Sequence, residues 1–170
     1  MAEIDEFESI FTRHVRHAVI GDMASTEAVP WGPAADGHDQ PYWQGLVAGE
    51  LRLQRCRSCQ TWIWGPQSLC ANCFGFDIGW EAVPPTGIVY SWNRSWYPFI
   101  AELADRLPYI SVLVELPQAG GRRVLGILAD DRPGPPAIGD GVVGCFERIE
   151  GQPWPLLRWN RATTAQEAGS

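Results

Sequence analysis

Four cysteines in two identical steps are the residues of this 170-residue chain best suited to chemistry. Cys56 and Cys59 form one C-x-x-C pair, Cys70 and Cys73 form a second, and ten residues separate the pairs. Each pair predicts a tight knuckle that aims two sulfurs at one point, and two knuckles make the tetrahedral thiolate cage that Zn²⁺ prefers. Because all four sulfurs would be ligands, no position stays open for a reacting water, and we expect a structural metal.

Disulfides are the alternative use of paired cysteines. The first eight residues are acidic, which does not fit a signal peptide, and a chain of this length does not need disulfides to hold a core. We therefore expect a cytoplasmic protein whose thiols stay reduced and free to bind metal. The spacing suits both zinc and iron, and zinc is the metal that we expect.

The charge balance bears on the class of partner. The chain has 20 acidic and 13 basic residues, a net charge of −7, and every basic residue apart from histidine is arginine. Nucleic-acid binding depends mainly on Lys and Arg, so this balance argues against a DNA- or RNA-binding protein. No apolar run approaches the roughly 18 residues that a membrane span requires. Nine Trp residues are a high number, and we expect some in the core and others in a binding surface.

The periodicity before the cysteines predicts helices, and that around them predicts short strands. Residues 3–20 carry apolar side chains at helical spacing, and residues 21–40 form an irregular arm. A second helix is expected from Asp39 or Gln40 to Gly49. Short strands at 51–55, 62–64 and 77–83 would then present the two knuckles, as in a zinc ribbon.

After Pro84 and Pro85 the sequence becomes rich in Val, Ile, Leu and aromatic residues, with Gly and Pro between the runs. Five strands are predicted, at 86–93, 109–116, 122–130, 141–149 and 156–159. Five strands in about 75 residues favour an OB-fold barrel. The predicted class is thus mainly β. Its four parts are a helix and arm (1–40), a helix plus zinc ribbon (41–83), an OB-fold (84–160) and a disordered tail (161–170).

The order of these parts resembles a known family. The resemblance is carried by residues 41–46 (PYWQGL), 51–56 (LRLQRC), the knuckles, 87–92 (GIVYSW) and 108–116 (PYISVLVEL), with support from 126–128 and 138–140. The chain is similar to the acyl-CoA-associated family that joins a rubredoxin-like zinc ribbon to a C-terminal OB-fold. Members are small partner subunits of thiolase-like (lipid-transfer-protein-like) enzymes, including acyltransferase complexes and aldolases that shorten steroid side chains on coenzyme A. The resemblance implies a scaffolding subunit without the nucleophile, with acyl-CoA at the shared interface.

Two groups of residues are candidates for contact with a ligand or partner. An aromatic segment is expected in the loop after the first barrel strand, and a pair of arginines is expected at a hairpin tip, where a solvated turn is the alternative. The candidate residues are Trp92, Arg94, Trp96, Tyr97, Phe99, Arg122 and Arg123. A protein interface, an acyl-CoA contact and packing in the core are all compatible with the aromatic segment.

No catalytic residue is predicted. His14, His17 and His38 have no Cys or Ser nucleophile at a recognisable spacing, and Cys145 suits a buried structural thiol. The leading hypothesis is therefore a non-catalytic subunit of an acyl-CoA-processing, thiolase-like complex. In the more specific form of this hypothesis, the complex catalyses a retro-aldolase reaction on CoA thioesters with steroid or other hydrophobic side chains. The alternatives are a free-standing acyl-CoA-binding protein and a nucleic-acid-binding zinc-ribbon protein.

Overall fold

The computed structural model describes residues 32–98, 104, 107–130 and 132–162. The predicted helix at residues 3–20, most of the predicted tail and the candidate Phe99 lie outside these ranges. Among the described residues, no helix is long and apolar enough to cross a membrane.

Helix α1 spans Gln40–Ala48, as the sequence predicts. Pro41 lies in its first turn, and Gly49 ends it in the left-handed conformation with φ of 80°. Asp39 occupies the cap position, but its carboxylate does not bond the N–H groups of the helix. It accepts hydrogen bonds from the indole N–H of Trp43 at 2.9 Å and from the backbone N–H of Ala34 at 2.7 Å, which ties the incoming chain to the helix.

A three-stranded antiparallel sheet follows the helix and carries the knuckles. Strand β1 (Leu51–Cys56) lies at its centre, between β2 (Trp62–Ile63) and β3 (Ile78–Val83). Leu51 and Leu53 are fully buried in β1, so this strand holds the ribbon against the rest of the core. The last residue of β1 is the first cysteine of the first knuckle.

The C-terminal half is a closed barrel of five strands. These are β4 (Thr86–Ser95), β5 (Tyr109–Leu116), β6 (Arg122–Leu128), β7 (Gly141–Glu147) and β8 (Leu156–Arg161). The order around the barrel is β4-β5-β6-β8-β7, and β7 returns to β4. Only β6 and β8 pair in parallel among these strands. This mixed, Greek-key order is that of the predicted OB-fold, which confirms the fold class.

Two strands run further than the sequence predicts. Strand β4 continues to Ser95 because its last residues pair with the start of β5, with Arg94 opposite Ile110. Arg94 therefore lies in a strand, and its predicted place in the loop after that strand is wrong, whereas Trp92 lies inside the strand predicted at 86–93. Strand β8 extends to Arg161, which pairs with Val142, so this residue belongs to the barrel.

One apolar cluster joins the helix, the ribbon and the barrel. Leu46 of α1, Leu51 and Leu53 of β1 pack in the same cluster as the barrel residues around Trp159, which is fully buried. Space for this indole is made by Gly126, because a Cβ there would lie 2.6 Å from Trp159 Cδ1. The ribbon is consequently part of the barrel's hydrophobic core.

Candidate functional site

The first knuckle is built by three backbone features. After Cys56 ends β1, the N–H of Gln60 donates to the Cys56 carbonyl at 2.8 Å, and the N–H of Cys56 donates to the Thr61 carbonyl at 2.9 Å. Gln60 is left-handed, with φ of 62°. This turn places the backbone N–H of Thr61 on the Cys59 sulfur.

The second knuckle repeats this geometry residue for residue. The N–H of Phe74 donates to the Cys70 carbonyl at 2.8 Å, and the N–H of Cys70 donates to the Gly75 carbonyl at 2.9 Å. Phe74 is left-handed, with φ of 57°, and the N–H of Gly75 reaches the Cys73 sulfur. Non-glycine residues adopt this conformation at a cost of about 1–2 kcal/mol, so the knuckle hydrogen bonds hold strained positions.

The four sulfurs fit a tetrahedral metal. All four Sγ atoms lie within 4.8 Å of one another. Cys56 and Cys73 are 3.6 Å apart, and so are Cys59 and Cys70. A tetrahedron with Zn–S bonds of about 2.3 Å has sulfurs about 3.8 Å apart, which these distances approach. A disulfide needs about 2.05 Å, so the disulfide alternative does not fit. The residues present suit a structural zinc.

The surroundings of the cage shift the pKa values of two of its four cysteine thiols in opposite directions. Hydrogen bonds with the side chains of Asn72 and Thr61 lower the pKa of Cys59 to about 5. The Gly75 N–H lowers the pKa of Cys73, but its sulfur neighbours Cys59 and Cys56 and burial outweigh this effect and raise the pKa to about 12. Four crowded sulfurs cannot all ionise without a cation, and a divalent metal takes the place of their protons.

The arginines beside the ribbon have carboxylate partners. Arg52 pairs with Glu50 at 2.7 Å, and Arg57 lies 3.5 Å from Asp77. Arg55 pairs with Glu81 at 3.0 Å and lies over the Trp62 ring. The charges of the arginines flanking the first knuckle are therefore balanced by carboxylates. The backbone and side-chain hydrogen bonds to the Cys59 and Cys73 sulfurs are the more direct contacts of the cage.

The aromatic candidates divide into two groups. Trp92 is half-buried and packs against the barrel core. Trp96 and Tyr97 follow the end of β4 and are 71% and 66% exposed. The Arg94 guanidinium lies 5.9 Å from the Trp96 ring centre, within the range of a cation–π contact.

The two candidate arginines begin β6, directly after the turn at Gly120 and Gly121. Arg123 lies 3.4 Å over the Tyr90 ring and pairs with Glu115 at 3.0 Å. Arg122 is half-buried beside β2, and its Nε atom is buried with no hydrogen-bond partner among the residues that the structure describes. Arg123 is exposed, as a solvated turn allows, whereas Arg122 is half-buried.

Three features of the fold could not be read from the motifs. Cys145 is half-buried, not buried, and its sulfur accepts a hydrogen bond from the Asn160 side chain at 3.2 Å. Phe74 and Phe76 are 71% and 78% exposed beside the second knuckle. An ion pair joins Asp130 to Arg161, which no local pattern signals because the two residues are far apart in the chain.

A zinc ribbon joined to a five-stranded OB-fold barrel defines the class of this protein. Residues 43–79 match the family described as ChsH2, rubredoxin-like zinc ribbon domain. A chain of the solved Ltp2–ChsH2 (DUF35) aldolase is 28% identical, with a TM-score of 0.67 over 77% of this chain and 99% of that chain. These matches confirm the resemblance that the sequence suggests.

A second solved structure belongs to a DUF35-family protein of unknown function from Sulfolobus solfataricus. It is 18% identical, with a TM-score of 0.49 over 76% of this chain and 87% of that one. A comparison with curated protein sequences gives no match.

Proposed function

We propose that this chain is the accessory, non-catalytic subunit of an aldolase complex. Its partner is a thiolase-like subunit that carries the reacting groups, and the substrates are acyl-CoA thioesters with steroid or other hydrophobic side chains. The observation that carries this proposal is the likeness to a chain of the Ltp2–ChsH2 (DUF35) aldolase, which covers 77% of this chain and 99% of that chain. We place the complex in the cytoplasm.

The described residues support a non-catalytic role. Four of the five cysteines form the metal cage, and the sulfur of Cys145 accepts a hydrogen bond from the Asn160 side chain. His38 lies 3.5 Å from Ser68, but this exposed pair has no third group to orient it within the described ranges. A nucleophile needs an activating base held in place by a further partner. The chemistry of the complex is therefore assigned to the other subunit.

The exposed aromatic surface at the end of β4 supports a partner. Trp96 and Tyr97 expose large apolar areas next to each other, and Arg94 lies beside them. Trp, Tyr and Arg are the residue types enriched where protein interfaces contribute most binding energy. We assign the centre of the interface to these three residues.

The test is co-purification of this chain with a thiolase-like protein from its host, followed by sedimentation of the complex. Trp96→Ala should weaken association by about 2 kcal/mol or more, since large aromatic anchors commonly cost that much when truncated. Phe76→Ala is the matched control, because it removes an equally exposed ring on the ribbon. Urea unfolding of each variant alone should be unchanged within about 0.5 kcal/mol. Equal loss of association in both variants would contradict the assigned surface. If the wild-type chain is a monomer that binds no partner from its host, the proposed role as a subunit is wrong.

A further inference from the structure

A cavity of about 300 Å³ lies where the zinc ribbon meets the barrel, and no residue assigned above to the partner interface lines it. Its ribbon side is formed by Trp62 and Ile63 of β2 and by Trp64, and its barrel side by Arg122, the first residue of β6. Asn72 of the second knuckle also lines it. A cavity of this size is at the lower end of the range for small-molecule sites, which combine an apolar lining with a few polar groups.

Arg122 is the residue of this cavity that the fold leaves unexplained. The side chain is half-buried, and its Nε is buried with no hydrogen-bond partner in the described structure. Its two terminal nitrogens also have no partner among the described residues, but they are not buried, so they are open to the cavity. A desolvated donor without a partner costs free energy, and a bound acceptor would recover it.

The charge of Arg122 is not balanced inside the cavity. Of the described residues that line it, none is acidic. The acidic residue nearest to Arg122 in the sequence is Glu115, and it pairs with Arg123 at 3.0 Å. Successive residues of a strand point to opposite faces, so Arg123 and its partner lie on the other face of β6. Arg122 therefore offers one uncompensated positive charge to an anion in the cavity.

The aromatic wall of the cavity is held in place by contacts outside it. The Arg55 guanidinium lies over the Trp62 ring, 4.8 Å from its centre. The Trp64 ring packs edge-on against Tyr42, with the two ring centres 5.3 Å apart. Because both indoles are already fixed, an apolar ligand that contacts them does not bear the cost of ordering them.

We propose that this cavity binds a small organic acid that has one carboxylate on a planar, apolar body. The two terminal nitrogens of Arg122 match the two oxygens of a carboxylate, and such charge-assisted, forked pairs are among the strong hydrogen bonds. Trp62 and Trp64 contact the apolar body. An aspartate or glutamate side chain of another protein would supply the carboxylate but not the planar body that this wall fits.

The neighbourhood of the cavity favours a carboxylate over a phosphate. Arg122 is the only cation among the described lining residues, and one guanidinium balances one negative charge. Asn72 lies between two ligands of the metal cage, Cys70 and Cys73, so the cage is close to the cavity. Four thiolates around a divalent ion carry a net negative charge, which repels a dianion more strongly than a monoanion.

NMR titration of the zinc-loaded, full-length chain tests the site with benzoate, benzamide and phenyl phosphate at pH 8. Benzamide has the same planar body without the charge, and phenyl phosphate is a dianion at this pH because its second pKa is about 6. We expect benzoate to bind with a Kd of about 1 mM or tighter, and at least fivefold more tightly than either of the others. The indole N–H signals of Trp62 and Trp64, assigned with Trp→Phe variants, should shift, and that of the fully buried Trp159 should not.

Arg122→Gln should weaken the binding of benzoate at least fivefold. Arg123→Gln is the matched control, because it removes the same charge from the next residue on the opposite face of the strand, and it should leave the affinity unchanged. Since Arg122 has no partner in the described structure, Arg122→Gln should keep or raise Tm. If Arg122→Gln does not fold, Arg122→Lys decides, because it keeps the charge, loses the fork and should bind at least threefold more weakly.

Four outcomes would overturn the inference. Benzoate leaves the Trp62 and Trp64 signals unshifted, benzoate and benzamide bind equally, phenyl phosphate binds more tightly than benzoate, or the two arginine variants lose equal affinity. Tighter binding of N-acetylglutamate than of benzoate would also overturn it, and would point to an acidic side chain of a protein. No thiolase-like partner takes part in these measurements, so their failure leaves the proposed subunit standing.

Discussion

Replacing Asp130 by asparagine tests how the last barrel strand is fixed. The Asp130 carboxylate receives the Arg161 backbone N–H at 2.7 Å and its Nε at 2.9 Å, and both side chains are only 10% exposed. Burial raises the pKa of Asp130, but the hydrogen bonds from Arg161 and from the Arg132 N–H outweigh it and lower the pKa to about 2. An asparagine side chain at this position would keep the shape and lose the charge that Arg161 needs.

The lowered pKa sets the size of the effect. Its distance from the ordinary value of 3.8 corresponds to about 2.4 kcal/mol, at about 1.36 kcal/mol per pKa unit. Asp130→Asn should thus lower the free energy of unfolding by about 2 kcal/mol at pH 7. Because the folded pKa is depressed, this stabilisation is complete above about pH 5 and is lost as the pH falls through 3.8 towards 2. Linkage gives a loss of about 1.1 kcal/mol by pH 3.

Urea unfolding followed by tryptophan fluorescence measures the difference between the two proteins at pH 7, 5 and 3. Metal release in acid affects both proteins and cancels in the difference. Asp77→Asn is the control, because Asp77 is 61% exposed, lies 3.5 Å from Arg57 and should cost less than about 0.5 kcal/mol. A difference between wild type and Asp130→Asn that stays the same from pH 7 to pH 3 would refute the reasoning.

Two further changes test the metal cage and the barrel core. Cys59→Ser should abolish zinc binding, measured by elemental analysis, and should lower Tm because metal binding supplies folding free energy, whereas Cys145→Ser should keep its zinc. A Cys59→Ser chain with full zinc content would contradict the cage. Gly126→Ala should destabilise by about 1–3 kcal/mol, since the added Cβ would lie 2.6 Å from the buried Trp159 ring. Thermal unfolding should show a Tm lower by several degrees, and an unchanged Tm would show that the ring can move.

Local patterns were enough to predict the metal cage and most of the strands. The ligands of each knuckle are three residues apart, so their spacing alone brings two sulfurs together. Strand β1 alternates buried leucines with arginines, and Gly49 ends α1 in the conformation that favours glycine. These features are determined by neighbouring residues, which is why the sequence reveals them.

Features that depend on distant partners could not be predicted in this way. The end of β4 looks like an aromatic loop, and only its pairing with Tyr109 and Ile110 makes it a strand. The Asp130–Arg161 pair requires the barrel to close first, and the cavity beside Arg122 requires the ribbon to meet the barrel. The left-handed conformations of Gln60 and Phe74 also carry no signal, because glycine is the residue usually expected there.

Closure of the barrel has a consequence for shortened chains and for synthesis. Strand β4 pairs with β7 from Thr86 opposite Val143, and β6 pairs with β8 from Ile127 opposite Arg158. A chain that stops before Gly141 would therefore leave one edge of β4 and one edge of β6 with unpaired N–H and C=O groups. Such edges are templates for pairing with other chains, so fragments and nascent chains of this length would be prone to aggregation until the last two strands have been made.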